Sequence, residues 1–307
     1  MKTQRTDFVK TLDRLTPLII MVPALVGVLF VQIYPSLDSI RLSFMDKYLL
    51  KPTVDFVGIA NYLEALSNPD IYQVIGNTIA FSVLSLLIAS VFAMLVANEL
   101  NKRFRGRAAF RAMFLAPWVT PPLVTSVIWQ LLLNETFSPI SKLFMELGWI
   151  SRPINFLGST QVFWGFFSMP LLSIIMINVW AIFPFLMVMF LAGLQTVPTE
   201  LMEASTIDGA NAAQRFFKVT LPTLMPVIET SLLLEAIWQF NNFNLSYLVT
   251  KGGPLNMTRV MAVSVYTEAF IKFRYSYGAA ISVVMMLIAM VPAVMYLRKT
   301  INQDRNI

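Results

Sequence analysis

Long apolar stretches separated by shorter polar segments make up most of this chain. A helix needs about 20 apolar residues to cross the hydrocarbon of a bilayer, and uncharged stretches of that order run over residues 15–37, 71–98, 112–134 and 275–297. Each of these stretches predicts one membrane-spanning helix. The first is expected to remain as an anchor, because no small-residue cleavage site of the signal-peptide type follows it.

The apolar region of residues 153–199 is longer than a single span. Glycine and polar residues between 155 and 161 are typical of a loop, which leaves one long helix over residues 163–194. Pro170 and Pro184 keep open the alternative that this helix is split in two.

One more span, which brings the total to six and is the fifth in chain order, is predicted over residues 222–247, where Glu229 and Glu235 interrupt an otherwise apolar sequence. The pattern as a whole predicts an all-α integral membrane protein with about six transmembrane helices. It divides the chain into an N-terminal tail with the first transmembrane helix and an outer loop (residues 1–70), a five-helix core (residues 71–297) and a C-terminal tail (residues 298–307).

Composition supports the membrane class. Hydrophobic residues make up 57% of the chain and charged residues 13%, against about 45–50% and 25% in soluble proteins. The chain has no cysteine and no histidine, so it lacks thiolate ligands and the commonest metal ligand and general base. We therefore expect no catalytic residue and no metal site.

The net charge of +6 is explained better by membrane topology than by nucleic-acid binding. With six spans and an internal amino terminus, 14 of the 23 basic residues fall in inner segments, as the positive-inside rule requires. Both termini are then predicted to lie in the cytoplasm. The inner basic residues are Lys2, Arg5, Lys10, Arg14, Lys102, Arg103, Arg105, Arg107, Arg111, Arg215, Lys218, Arg298, Lys299 and Arg305.

A polar segment, residues 198–221, lies between the fourth and fifth predicted spans of this series and should be structured. Two features are typical of a helix start: the Thr196 hydroxyl, which can cap the helix, and Pro198, which is tolerated in a first turn. Glu200 would stabilise that turn. Gly209 is a natural break. A second short helix is predicted over residues 210–218, which gives a helix-turn-helix lying across the membrane surface.

Several apolar side chains in this segment suit a contact surface. Leu201, Met202, Ala204, Phe216 and Phe217 offer more apolar surface than a loop in water normally shows. The alternative is an interfacial amphipathic helix that rests on lipid. Glu203 and Asp208, which are poorly suited to lipid, favour a groove on a partner protein.

The order of residues in this segment resembles a known signature. Glu203-Ala204-Ser205, Gly209 and Val219-Thr220-Leu221-Pro222 resemble the Glu-Ala-Ala motif of permease subunits in binding-protein-dependent ABC importers, with Ser205 in place of Ala and Val219 in place of Ile.

Further stretches are similar to the carbohydrate branch of that family, the permeases of the maltose-importer type. They are spread in order over roughly residues 71–297 and comprise Asn178-Val179-Trp180, Phe183-Pro184-Phe185, Ala192-Gly193-Leu194-Gln195, Phe240-Asn241-Asn242-Phe243, Thr250-Lys251-Gly252-Gly253-Pro254 and Tyr277-Gly278-Ala279-Ala280.

The resemblance implies a type I ABC importer permease fold, with residues 198–221 as a cytoplasmic coupling helix that docks on an ATP-hydrolysing subunit. No Walker A pattern occurs in the sequence, so ATP and Mg would be bound by that partner and this chain would bind no cofactor. The implied coupling residues are Glu203, Ala204, Ser205, Asp208, Gly209, Ala210, Leu221 and Pro222.

The resemblance also implies the other members of the assembly. They are a second homologous permease, two ATP-binding cassette subunits and an extracytoplasmic solute-binding protein, all at the cytoplasmic membrane of a bacterium or archaeon. The chain would then be a translocation subunit rather than an enzyme, and it would carry a sugar or oligosaccharide by alternating access. No nucleic acid is expected among the partners.

Polar residues of the fifth predicted span recur with helical spacing. Glu235, Gln239, Asn242 and Ser246 would share one face of a continuous helix, with Trp238 at its edge. Polar groups in a membrane helix either line a cavity or join helices to each other. Both alternatives remain open from the pattern alone.

Comparison with the maltose-type permeases favours the cavity. The helices that resemble residues 181–185 and 235–242 line the substrate pocket there, although Gln239 and Phe185 differ in type from the residues usual at those places. The implied substrate-binding residues are Trp238, Gln239, Asn242, Glu235, Ala181, Ile182 and Phe185.

A different class of function is an ion-coupled secondary transporter, in which Glu229 or Glu235 carries the coupling ion. This alternative leaves the 198–221 segment unexplained, and no internal hydropathy repeat supports it. A membrane scaffold without transport activity explains still fewer of these features.

Overall fold

The computed structural model describes residue 16, residues 20–48 and residues 53–304. This part of the chain is mainly helical, with loops between the helices and two pairs of very short strands. The strands are β1 (Met45–Asp46), β2 (Asp55–Phe56), β3 (Val162–Phe163) and β4 (Phe167–Ser168). The helices are α1 (Ile20–Ser43), α2 (Ala60–Ser67), α3 (Pro69–Asn101), α4 (Arg107–Val119), α5 (Pro122–Leu132), α6 (Pro139–Glu146), α7 (Met169–Leu194), α8 (Thr199–Ile207), α9 (Ala212–Phe240), α10 (Asn244–Thr250), α11 (Met261–Ile271) and α12 (Tyr275–Asp304).

Within the described residues, five helices are long and apolar enough to cross a membrane, and a bent pair makes a sixth candidate span. The five are α1, α3, α7, α9 and α12, and the pair is α4 with α5. This result agrees with the prediction of about six transmembrane helices.

The chain separates into two compact units. One comprises the described residues of 68–266 and 284–307, and the other comprises the described residues up to 67 together with residues 267–283. The core of the first unit is built around α7, which packs against α3, α4 and α9. Leu171, Ile174, Leu186 and Met187 of α7 are completely buried there. A helix that is apolar on all sides and covered by neighbours is what a central membrane span requires.

Small residues allow α3 to approach α7 closely. Ala89, Ala93 and Ala97 recur every fourth residue, so they lie on one face of α3, and all three are fully buried. In lipid, helices associate largely through close packing of such small residues. Phe92 of α3 adds an edge-on contact with Phe183 of α7, with ring centroids 4.8 Å apart.

Gly193 fixes the contact between α7 and α9. A Cβ atom at this position would lie 2.7 Å from Leu224 Cδ2 and 3.2 Å from Val227 Cγ1. Both of these side chains belong to the first half of α9, and Leu224 is fully buried. A side chain at position 193 would therefore force Leu224 to move, and glycine allows the observed close spacing of the two helices.

In the second unit, β1 pairs with β2 in antiparallel register, and α2 follows. The Asn61 side-chain amide donates to the backbone oxygens of Ser43 and Met45 at 2.9 and 2.7 Å. Arg274 donates to both carboxylate oxygens of Glu64 at 2.6 Å.

The third predicted span, residues 112–134, was expected to be one helix, and this prediction is wrong. Helices α4 and α5 are bent by 94° at a short break. The cause is the Pro121-Pro122 pair, because a residue that precedes proline is driven out of the helical region. Thr120 and Pro121 accordingly have extended ψ angles of 126° and 139°.

The predicted start of the next helix at residue 163 is also wrong. Residues 162–168 form the β3–β4 pair, in which Phe163 is paired with Phe167. The turn between them uses positive φ angles at Trp164 and Gly165. Helix α7 then runs unbroken from Met169 to Leu194, so Pro184 does not split it.

The helix predicted over residues 222–247 is shifted along the chain. Helix α9 begins at Ala212 and ends at Phe240, and α10 follows after a break. The first predicted helix likewise extends beyond residue 37, to Ser43, and its last turns include an ion pair between Asp38 and Arg41. Its predicted start at residue 15 lies outside the described residues.

Candidate functional site

The turn of the 198–221 segment is closed by backbone hydrogen bonds. Helix α8 ends in a Schellman motif, in which the Ala210 N–H donates to the Ser205 oxygen at 3.0 Å and the Gly209 N–H donates to the Thr206 oxygen at 3.1 Å. Gly209 has a φ angle of +77°, a conformation that glycine adopts without strain. The predicted break at Gly209 is confirmed.

The start of helix α9, which follows this turn, is also stabilised by side-chain hydrogen bonds. Asn211 accepts a hydrogen bond from the Gln214 N–H at 2.9 Å, and the Gln214 side chain accepts one from the Asn211 N–H at 2.9 Å. This reciprocal pair is a capping box. Arg215 Nη1 donates to the Ala210 oxygen at 3.0 Å, so both sides of the turn are fastened.

Two details of the predicted segment differ from the structure. Thr196 does not cap α8, because its hydroxyl donates to the Gly193 oxygen at 2.8 Å, and Pro198 takes the N-cap position without a side-chain hydrogen bond. The predicted second helix over residues 210–218 is not separate, since it begins at Ala212 and continues through a π-helical turn, Phe216–Thr220, into the span.

The outer face of the segment is exposed and partly apolar. The relative exposures of Ile207 and Phe217 are 87% and 64%. Glu203 and Asp208 are exposed beside them, and neither forms an ion pair with another of the described residues. Two free carboxylates next to exposed apolar side chains form a surface suited to a basic, partly apolar partner.

The other predicted coupling residues occupy different environments. Ala204 is exposed and Ala210 half-buried. Ser205 is only 9% exposed and donates to the Met202 oxygen at 2.8 Å. Leu221 is half-buried and Pro222 is exposed, and both lie within α9 beyond the turn.

Near the other end of α9, four polar side chains form a connected group that we call the polar cluster: Asn178, Glu235, Gln239 and Asn242. Gln239 accepts a hydrogen bond from Asn178 at 2.7 Å and donates one to Glu235 at 2.6 Å. Asn242 Nδ2 lies 3.3 Å from Asn178 Oδ1 and 3.2 Å from Gln239 Oε1. The cluster joins α7, α9 and the turn that follows α9.

The members of the cluster differ in accessibility. Asn178, Glu235 and Gln239 are 1%, 3% and 4% exposed, whereas Asn242 is half-buried. Because each buried polar group has a partner, the cluster has the geometry of a contact that joins helices. Ser246 does not belong to it, since it lies on α10 and donates to the Thr258 oxygen. The predicted continuous polar face is wrong at this residue, because α9 ends at Phe240.

Aromatic rings continue from the cluster to the exposed surface. Trp238 is 51% exposed, and its ring lies 5.2 Å from that of Phe185. Phe185 in turn contacts Trp118, at 6.1 Å. Ala181 is half-buried and Ile182 is 7% exposed on the same stretch of α7.

Sequence reasoning missed two amides that hold other segments in place. Gln130 Nε2 donates to the backbone oxygens of Leu248 and Val249 at 2.8 and 2.9 Å, which ties α10 to α5. Asn77 Nδ2 donates to the oxygens of Asn256 and Arg259 at 2.8 and 3.1 Å. In each case the available signal was a single amide within an apolar stretch.

These features define a polytopic membrane protein with a structured surface segment between two spans. Residues 89–304 match the family of binding-protein-dependent transport system inner membrane components, and the chain belongs to this family. It is therefore an inner membrane translocation component of ABC importers, and the resemblance inferred from the sequence is confirmed.

Individual relatives agree over almost the full length. The chain is 31% identical over 283 residues to the trehalose/maltose transport system permease protein MalF of Thermococcus litoralis, which covers 91% of this chain and 92% of that protein. It is 26% identical over 277 residues to the sn-glycerol-3-phosphate transport system permease protein UgpA of Agrobacterium fabrum, covering 90% and 91%.

A solved structure supports the fold. A chain of the bacterial alginate ABC transporter, crystallised with its alginate pentasaccharide-bound periplasmic protein, superposes with a TM-score of 0.77 at 20% sequence identity, covering 93% of this chain and 94% of that one. The type I permease fold predicted from the sequence is confirmed. Nothing favours the ion-coupled alternative, and Glu229, one of its two candidate carboxylates, is paired with Lys299.

Proposed function

We propose that this chain is one of two permease subunits of an ATP-driven importer that takes a sugar or oligosaccharide from an extracytoplasmic binding protein. The names of the relatives support this substrate class, since they include a trehalose/maltose permease and an alginate transporter. A phosphorylated polyol is the closest alternative, because another relative is a glycerol-3-phosphate permease.

The observation that carries the proposal is the construction of the 198–221 segment. Hydrogen bonds hold its turn on both sides, in the Schellman motif and in the Asn211–Gln214 capping box. Glu203, Ile207 and Asp208 nevertheless remain exposed at its surface. A rigid segment with exposed side chains is suited to a contact through which a separate ATP-hydrolysing subunit moves this chain. We infer that it docks on an ATP-binding cassette subunit, which holds ATP and Mg.

Helix α9 could transmit a movement of the 198–221 segment to the membrane interior. It runs for 29 residues from Ala212 to Phe240, and at 1.5 Å per residue this corresponds to roughly 40 Å. Its first turn belongs to the docking segment, and its last two turns carry Glu235, Trp238 and Gln239. A tilt imposed at one end is therefore passed to the other.

The substrate path is proposed along the exposed aromatic face. Trp238 and Phe185 offer ring surfaces on which sugar C–H groups stack, and half-buried Asn242 and Ala181 lie beside them. Buried Gln239, Glu235 and Ile182 are assigned to the supporting layer of the same site.

The remaining partners follow from the same proposal. A second homologous permease would complete the cavity, and a second ATP-binding subunit would dock on it. Both termini would lie in the cytoplasm, on the same side as the 198–221 segment, at the cytoplasmic membrane of a bacterium or archaeon.

Uptake into proteoliposomes that contain the copurified complex and its binding protein tests this function. ATP enclosed on the side of the nucleotide-binding subunits should drive accumulation of labelled saccharide without any ion gradient, and an ionophore should leave the rate unchanged. Loss of uptake on addition of the ionophore alone would contradict the proposal. Saccharides, polyol phosphates and acidic oligosaccharides are compared as substrates in the same assay.

A further inference from the structure

A cavity of about 610 Å³ lies where α3 and α7 end and where α4 and α8 begin. We call it the arginine cavity, because the side chains of Arg103, Arg107 and Arg111 line it together with Asn101, Gln195 and Thr199. It is distinct from the polar cluster and from the exposed face of the docking segment.

Among the residues that the structure describes, no ion pair offsets the positive charge of this cavity. No carboxylate is among the residues that line it. Within the described residues, Arg103 and Arg107 form no ion pair. Arg111 Nη2 donates to the Leu100 oxygen at 3.3 Å, but its Nε atom is buried without a hydrogen-bond partner among those residues. A buried donor of this kind is unfavourable unless an acceptor from outside the chain meets it.

Two helix starts add to the positive potential. Helix α4 begins at Arg107 behind Gly106, and α8 begins at Thr199 behind Pro198, and neither N-cap residue supplies a side-chain hydrogen bond. The free N–H groups and the dipole of a helix start favour an anion. Guanidinium groups and backbone N–H groups together are a donor set that suits phosphate.

The position of the cavity indicates where this phosphate comes from. It lies at the ends of two predicted spans, α3 and α7, which is the depth at which lipid headgroups lie. Phe104 and Phe110, which follow Arg103 and precede Arg111 in the sequence, are 43% and 46% exposed, with ring centroids 6.0 Å apart. Basic pockets between membrane helices bind anionic headgroups, and exposed phenyl rings suit the adjoining acyl chains.

We propose that the arginine cavity binds the phosphate headgroup of an anionic phospholipid. The lipid would contact the linker between α3 and α4 through Arg103 and the start of α8 through Thr199. Since Met202 of α8 also lines the cavity, a bound lipid would restrain the 198–221 segment at its base. This inference depends on the membrane location of the chain and not on its transported substrate.

Direct lipid titration tests the proposal. The full-length chain, purified with the subunits that remain bound to it, is titrated with fluorescent phosphatidylglycerol and with the matching phosphatidylcholine. Phosphatidylglycerol should bind saturably and at least about 10-fold more tightly. Because one charge-assisted hydrogen bond is lost in each case, Arg103→Gln and Arg107→Gln should each weaken its binding about 10-fold or more. Arg107→Lys should give an intermediate value, since it keeps the charge but loses the planar fork.

Arg105→Gln is the matched control, because Arg105 lies in the same linker, carries the same charge and does not line the cavity. It should weaken binding less than about 2-fold. If Arg107→Gln prevents folding, Arg103→Gln, which lies outside the helices, carries the test alone.

Four results would overturn the proposal. They are equal binding of the two lipids, an equal effect of Arg105→Gln, binding of inorganic phosphate with exclusion of phosphatidylglycerol, and lipid binding only after the copurifying subunits are removed. The third would assign the cavity to a soluble anion, and the fourth would show that a partner protein covers it.

Discussion

The side-chain amide of Asn178 on α7 donates a hydrogen bond to Gln239 on α9, with a donor–acceptor distance of 2.7 Å. Both residues are at most 4% exposed, so the bond joins two helices inside the protein. Gln239 also donates to Glu235 at 2.6 Å. Loss of either amide leaves a buried polar group without its partner.

We predict that Asn178→Leu and Gln239→Leu each lower the free energy of unfolding by about 1–3 kcal/mol, because a buried partner is left unsatisfied. The double variant should lose less than the sum of the two. In membranes such couplings average about 0.6 kcal/mol and reach about 1.7. Unfolding of the purified chain in mixed micelles measures these differences. Asn244→Leu, at an exposed amide of α10, is the control, and additive effects at 178 and 239 would contradict the assignment.

Substitutions at Gly209 should follow the backbone geometry of the turn. A Cβ atom there meets nothing within 4 Å, so the φ angle of +77° alone decides the effect. A left-handed alanine costs about 1–2 kcal/mol and asparagine less. We therefore expect uptake to fall about fivefold or more in Gly209→Ala, less in Gly209→Asn, and to be abolished in Gly209→Pro, which also removes the N–H that donates to Thr206.

Gly148 provides the matched control for this series. It has a φ angle of +72° and open space around its Cβ position, but it lies far along the chain from the 198–221 segment. Gly148→Ala should have the same local backbone cost and leave uptake unchanged. Equal losses in the two alanine variants would show that turn strain affects the whole protein rather than the docking segment.

Reversal of charge at Glu203 should abolish uptake without affecting folding. Glu203 is exposed and forms no ion pair within the described part of the chain, and surface substitutions of this kind usually change stability by less than about 0.5 kcal/mol. Membrane insertion and the unfolding temperature of Glu203→Lys should therefore match those of the wild type, and Glu203→Gln should lose less activity. Glu200→Lys, one turn earlier on α8, is the comparison variant. Wild-type uptake by Glu203→Lys would count against docking through Glu203.

Gly193→Ala should destabilise the contact between α7 and α9 by about 1–3 kcal/mol, the usual cost of overpacking. The added Cβ would lie 2.7 Å from Leu224 Cδ2. Gly193→Ala should therefore cost less stability in a Leu224→Ala chain than in the wild-type chain, although Leu224→Ala alone is itself destabilising because Leu224 is fully buried. Gly27→Ala on α1 is the control, because nothing lies within 4 Å of its Cβ position. Thermal unfolding of Gly193→Ala, Leu224→Ala, the double variant and Gly27→Ala in detergent measures these effects. A Gly193→Ala loss of equal size with and without Leu224→Ala would contradict this packing.

Much of this architecture could be predicted from local sequence. The apolar stretches predicted the spans because burial in lipid depends on length and composition alone. Gly209 predicted the turn because few other residues adopt its conformation. The bend between α4 and α5 was also encoded locally, by Pro121-Pro122, but the apolar pattern concealed it.

The end of α9 could not be predicted in this way. No glycine or proline marks Phe240 as the last helical residue, and the following Asn241-Asn242 lies in an apolar context. The end is set by tertiary contacts, in which Asn242 turns to meet Asn178 and Gln239. The substrate-binding role of the residues near this point therefore stays a prediction.

Crosslinking from the exposed surface of α8 tests the central claim most directly. The chain has no cysteine, so a single introduced cysteine carries the only thiol of this subunit. Ile207→Cys, at a position that is 87% exposed, should crosslink to an ATP-binding subunit in the assembled complex, and the yield should change when ATP binds. Trp149 is exposed and lies between the third and fourth predicted spans, which the predicted topology places on the outer side of the membrane. Trp149→Cys should therefore give no such product. A complex in which the cysteine at 207 reacts only with reagents confined to the outer side of the membrane, or reaches no ATPase, would contradict the account.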